Sequence, residues 1–169
     1  ALLTGFGARR LVELDWGQSH VIAPEFRVTL TPARHWSNRL GTPRHHRLWS
    51  GFSLSLGAPA TLVAGDTGDD EELFRSIGRR AGAPDLALVP IGADEPRWFM
   101  AEQHMNPDEA VRAFIACGAE QAIAHHWGTF QLTNEGLSRP LEALKAALEH
   151  HGVEKSRFKA LRPGEVFEL

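Results

Sequence analysis

Three positions in the sequence set a residue able to hold a metal ion where an apolar run gives way to a loop. His35 lies just beyond the alternating run FRVTLT, within Thr31-Pro32-Ala33-Arg34-His35-Trp36. Asp66 follows TLVA within Gly65-Asp66-Thr67-Gly68, and His126 follows QAIA within His125-His126-Trp127-Gly128. Two neutral imidazoles and a carboxylate are a set that a zinc-type ion accepts, at about 2.0–2.2 Å. Each also has an ordinary reading. A histidine after a strand often only caps it, and Asp beside Gly favours tight turns for backbone reasons alone. Strand alternation sends neighbouring His125 and His126 to opposite sides, so at most one of them reaches a shared ion.

For these residues to meet, the elements before them must lie side by side. Period-two alternation bounded by breakers predicts strands over Leu11–Leu14, Phe26–Thr31, Leu48–Leu56 and Thr61–Ala64. The rhythm then changes. Residues 69–80, DDEELFRSIGRR, begin with acids and end with arginines, which complements a helix dipole. Asp85–Ile91 reads as a buried strand. Asn106 caps a helix that opens with Pro107 and places Val111, Phe114 and Ile115 on one face. A strand over Gln121–Ala124, a helix over Leu141–His151 and a closing strand over Glu165–Leu169 complete the pattern. A β-rich first third followed by two strand–helix units predicts a layered α/β fold in one domain spanning residues 1–169.

Composition narrows the function. Eighteen Lys and Arg against twenty-one Asp and Glu give a net charge of −3, without the basic excess that marks a nucleic-acid partner. No apolar stretch reaches the roughly 18 residues of a membrane helix. A single cysteine, Cys117, excludes an internal disulfide and a multi-cysteine metal site. It fits a reducing compartment and reads as a small core residue. That places the protein in the cytoplasm, either free or at a membrane surface. The chain opens ALLTGFGARR, with no initiator Met and no secretory pattern, and reads as starting inside a domain.

Six strings then occur in order: TPARHWSNR from Thr31, LWSGF from Leu48, AGDTGD from Ala64, PIGADEPRWFM from Pro90, QHMNPDEAV from Gln103 and HHWGTF from His125. Together they resemble the C-terminal half of the metallo-β-lactamase-fold hydrolases related to N-acyl-phosphatidylethanolamine-hydrolysing phospholipase D, from about Leu11 to Leu169. The resemblance implies half of an αββα sandwich with a dinuclear zinc site at one edge. In it His35 matches a histidine ligand of one metal, Asp66 the carboxylate bridging both, and His126 the terminal histidine of the second. His104, in QHMNP, matches a histidine near that active site; as a bare residue it reads equally as part of the loop that caps the following helix. The implied reaction is metal-assisted phosphodiester hydrolysis, with Asp66 and His104 as its catalytic residues and no serine or cysteine nucleophile.

The family's H-x-H-x-D-H signature does not occur in the sequence. The expectation is therefore a C-terminal portion whose site is completed by a missing N-terminal half, on the same or a separate polypeptide, the portion alone being inactive. Half a sandwich exposes one sheet face, so self-association through it is expected where that half is absent. The substrate is a small molecule or a phospholipid. A lactonase-like or other C–O hydrolase of the same superfamily, and a metal-free interaction module, are the alternatives. Asp69 and Asp94 stand where the resemblance leads one to expect tyrosine, and there is no tyrosine in the chain. Facing the site, they would disfavour an anionic headgroup.

Overall fold

The computed structural model describes residues 2–169. After one helical turn, α1 (Leu2–Gly5), strands β1 (Ser19–Ala23), β2 (Phe26–Thr31), β3 (Gly51–Leu56) and β4 (Ala60–Val63) form an antiparallel meander. From β4 onward the strands run parallel and helices make the crossovers. The order is α2 (Glu71–Ala81), β5 (Leu86–Pro90), the single turn α3 (Arg97–Met100), α4 (Pro107–Cys117), β6 (Gln121–His125), α5 (Arg139–His150) and β7 (Phe158–Lys159). All seven strands lie in one mixed sheet in chain order.

The two-residue strand period sorts the side chains by face. Leu62, Ala87, Val89, Ala122, Ala124 and Phe158 point toward the helices and pack with Phe74 and Ile77 of α2, Phe114 of α4, and Leu144 and Leu148 of α5. Val28, Leu54, Val63, Leu88 and Ile123 stand on the opposite face, with Phe52 and Leu56 beside them 40% and 61% exposed. The three long helices lie on the first face, so the second has no such layer. The described surface, 10340 Å² for 18.6 kDa, exceeds the roughly 8,200 Å² of a compact monomer of that mass. Among the described residues no helix is long and apolar enough to cross a membrane.

Local sequence fixes the helix ends. Asp70 caps α2 by accepting from the Leu73 amide, and Arg75 pairs with Glu71 and Glu72 along its exposed side. Asn106 and Glu109 form a reciprocal capping box at α4, Pro107 opens the helix, and Gly118 ends it with φ 72°. The two helices meet where Gly78 faces Cys117. A Cβ on Gly78 would lie 2.3 Å from the Cys117 carbonyl oxygen. Gly78→Ala therefore sets a helix-propensity gain of about 1 kcal/mol against backbone overlap costing about 1–3 kcal/mol. A net loss of up to about 2 kcal/mol in chemical denaturation is the expected result; a stabilised variant would show that the helices separate freely.

Several elements differ from the sequence-based expectation. Leu11–Leu14 alternates but pairs with nothing and is irregular, and Glu165–Leu169 forms no strand. The edge strand β1 escapes notice because all five of its residues are exposed. β3 begins at Gly51, three residues later than its alternation. A third strand–helix unit ends in the two-residue β7. Ile115 is 49% exposed although Val111 and Phe114 are buried, because Ala110, Ala113 and Cys117 complete the inner face of α4.

Candidate metal centre

β2 and β4 are both antiparallel to β3, and β4, β5 and β6 are parallel. The carboxyl ends of β2, β4, β5 and β6 therefore share one edge of the sheet, where open α/β folds gather their ligands. The loops leaving that edge carry His35, Asp66 and His126, and the segment before α4 adds His104.

These four side chains form a run of neighbours. The His35 ring lies 5.1 Å from that of His104 between centroids, and His104 lies 5.3 Å from His126. His126 Nε2 is 3.5 Å from Asp66 Oδ1. His35 Nδ1 is 2.9 Å from the Trp36 carbonyl oxygen. A carbonyl only accepts, so Nδ1 carries the proton and Nε2 keeps its lone pair. That Nε2 is buried without a hydrogen-bond partner, as is Nδ1 of His104. Burial pushes the His104 imidazole down to about 4, His126 adds to the effect and Asp66 opposes it, so His104 is neutral at physiological pH. His126 has φ 59°, a left-handed conformation uncommon outside glycine that turns its ring to the site while His125 ends the strand.

Thr67, 1% exposed, ties the loops together. Its hydroxyl accepts the Arg34 amide at 2.8 Å, and its carbonyl accepts the Met105 amide at 3.0 Å. The Gly68 amide returns a bond to the Arg34 carbonyl at 2.8 Å. Gly68 is required by close approach, since a Cβ there would meet the Glu102 carbonyl oxygen at 2.4 Å. Arg97 holds the His104 carbonyl at 3.0 Å and both Glu109 oxygens at 2.8 Å. Its guanidinium is thus committed to the scaffold, while Trp98 beside it is 86% exposed.

Asp69 and Asp94 are each paired with an arginine, and neither lines the cavity beside His126. Asp94 is 1% exposed and pairs with Arg139 at 3.3 Å; burial raises its carboxyl above the usual range, against the pull of that arginine. Asp69 pairs with Arg112 at 2.9 Å. Glu135, to which the sequence drew no attention, accepts the amides of Ala93 and Glu95 and the hydroxyl of Thr133. Burial works against its charge, yet those donors hold its carboxyl below the usual value. It shapes the loop after β5, and that loop borders a cavity of about 240 Å³ walled by His126, Trp127, Phe130, Leu132 and Leu137.

Two buried ring nitrogens without partners beside a carboxylate suit a divalent cation in chemical type. Among the described residues, however, no three His, Cys, Asp or Glu side chains surround one point with metal-ligand spacing.

A mixed sheet with helices on one face and these donors at its carboxyl edge is the architecture of the layered metallo-hydrolases. Residues 2–127 match the Beta-lactamase superfamily domain, and the chain belongs to that family. It is 36% identical over 167 residues to N-acyl-phosphatidylethanolamine-hydrolyzing phospholipase D 1 of Caenorhabditis elegans, covering 96% of this chain and 47% of the relative. The mitochondrial N-acyl-phosphatidylethanolamine-hydrolyzing phospholipase D of Saccharomyces cerevisiae is 34% identical over 155 residues, 89% of this chain and 33% of its own. A metallo hydrolase of the archaeon Ignicoccus hospitalis superposes with a TM-score of 0.69 at 25% identity, over 99% of this chain and 65% of that structure. The chain thus spans half or less of the length of these two curated relatives.

Proposed function

We propose that the intact protein is a metal-dependent phosphodiesterase of the phospholipase D type, in which His35, Asp66 and His126 supply one side of a dinuclear zinc centre. The observation that carries this reading is the buried, partnerless Nε2 of His35 in the same run of side chains as His126 and Asp66. Bound there, two divalent ions supply Lewis-acid polarisation of the phosphoryl oxygens and acidify the attacking water. The chain's own residues set the frame. Trp36 fixes the His35 tautomer through its carbonyl, so a lone pair faces the centre. Asp66, beside His126, would offset the cationic charge held there. His104, neutral and with Nδ1 unengaged, offers a hydrogen bond to the bound diester. The apolar walls beside His126 receive the organic part of the substrate.

A further segment bearing the H-x-H-x-D-H signature supplies the other ligands and covers the open sheet face. The test is elemental analysis of the intact protein with a substrate panel of bis-aryl phosphates and lactones. About two metals per chain and turnover of the phosphodiesters are expected. Hydrolysis of lactones alone would transfer the site to C–O chemistry, and a metal-free, inactive protein would leave an interaction module.

A further inference from the structure

A second cavity, of about 550 Å³, lies on the helix-facing side of β2 and β3 and shares no lining residue with the cavity beside His126. Its volume is within the range of small-molecule sites, about 300–1,000 Å³. Where a sheet meets helices the inward side chains are normally apolar; here FRVTLT and GFSLSL turn their polar positions that way. Arg27 pairs in register with Ser55, and Thr31 with Gly51, so Arg27, Thr31, Ser53 and Ser55 line one wall. Arg80, from the last turn of α2, stands on the other, and Trp16 closes one end.

Two observations point to a ligand. Among the described residues neither Arg27 nor Arg80 has an ion-pair partner, and no Asp or Glu lines the cavity, so its charged lining is wholly cationic. Trp16 is fixed in place: its indole N–H donates to the Trp49 carbonyl at 2.8 Å, and its ring packs edge-on against Trp49 at 5.9 Å. That leaves a rigid aromatic wall beside a cationic, hydroxyl-rich one.

We propose that this cavity binds a small amphipathic anion, its acidic group between Arg27 and Arg80 and its flat apolar body against Trp16. The site is independent of the proposed hydrolytic centre. The probe is naphthalene-2-sulfonate, titrated into the intact protein and followed by the NMR signals of the backbone amides, the Trp16 indole N–H and the arginine side-chain N–H groups. Saturable shifts at Trp16, Arg27 and Arg80 are expected. Arg27→Met and Arg80→Met should each weaken binding about tenfold, as the loss of one charge-assisted hydrogen bond does. Both guanidiniums are exposed, so these variants should keep the parent melting temperature. Uncharged 2-naphthalenemethanol and inorganic phosphate should each bind at least about tenfold more weakly than the sulfonate. Equal affinity in both arginine variants would overturn the proposal. So would phosphate binding as tightly as the sulfonate, or shifts confined to Phe52 and Leu56 on the other face.

Discussion

In the intact protein, Asp66→Ala should lower phosphodiester turnover by about a thousandfold and reduce the bound metal, while the melting temperature of the metal-free protein stays unchanged. The size follows from the proposed role. A carboxylate shared by two divalent ions contributes several kcal/mol of charge stabilisation, and about 4 kcal/mol corresponds to three decades of rate. The unchanged melting temperature follows from the structure. The Asp66 side chain is 43% exposed and its polar neighbour is His126 at 3.5 Å, while the loop itself is held by Thr67 and Gly68. Asp66→Asn keeps the shape and loses the charge, so it should fall with alanine in metal content. Steady-state kinetics with bis-aryl phosphates and metal analysis of the same preparations are the measurements. Full turnover in either variant would remove Asp66 from the centre, and a lower melting temperature than the parent's with both stripped of metal would make it a folding residue.

Residues 1–169 produced alone should self-associate at tens of micromolar, and Phe52→Asp combined with Leu56→Asp should return them to monomer. The open face, with Phe52 40% and Leu56 61% exposed, belongs to a surface that exceeds a compact molecule's by roughly 2,000 Å². Covering half of that excess on each partner is an interface of standard size, about 800 Å² a side or more. Sedimentation velocity over a concentration series reads the change directly. The same double substitution in the intact protein separates this idea from generic stickiness. If a second sheet covers Phe52 and Leu56 there, two buried carboxylates should cost several kcal/mol of stability. If the face is bare in the intact protein, the substitutions should be close to neutral. A wild-type chain that stays monomeric at 100 µM, as an upper bound of about 0.1 mM on the association, would contradict the prediction.

What the sequence revealed tracks how local each signal is. β2 and β4 showed themselves by alternation ending at Pro32 and Gly65, α2 by its leading acids and closing arginines, and α4 by the Asn106 cap that the structure uses. The strand-end positions of His35, Asp66 and His126 were legible for the same reason, because a breaker after an apolar run marks where a sheet edge begins. Tertiary pairing decided the failures. Leu11–Leu14 has the pattern of a strand without a neighbour, whereas the exposed β1 has a neighbour without the pattern. Thr67 and Glu135 left no trace in sequence because their work is long-range. Arg34 lies 33 residues before Thr67, and Ala93 lies 42 before Glu135. The directions taken by Asp69 and Asp94 were equally hidden, since only packing brings Arg112 and Arg139 within reach.

Thr67 is bonded to the segments of both His35 and His104 and is itself next to Asp66, so the backbones that carry those three residues are tied together. If this edge binds a cation, those loops are tied to one another before any cation or complementary segment arrives. The entropic cost of gathering dispersed ligands is then met during folding of the chain and not at the moment of capture. The second half of such a site needs only to dock against a template that is already set.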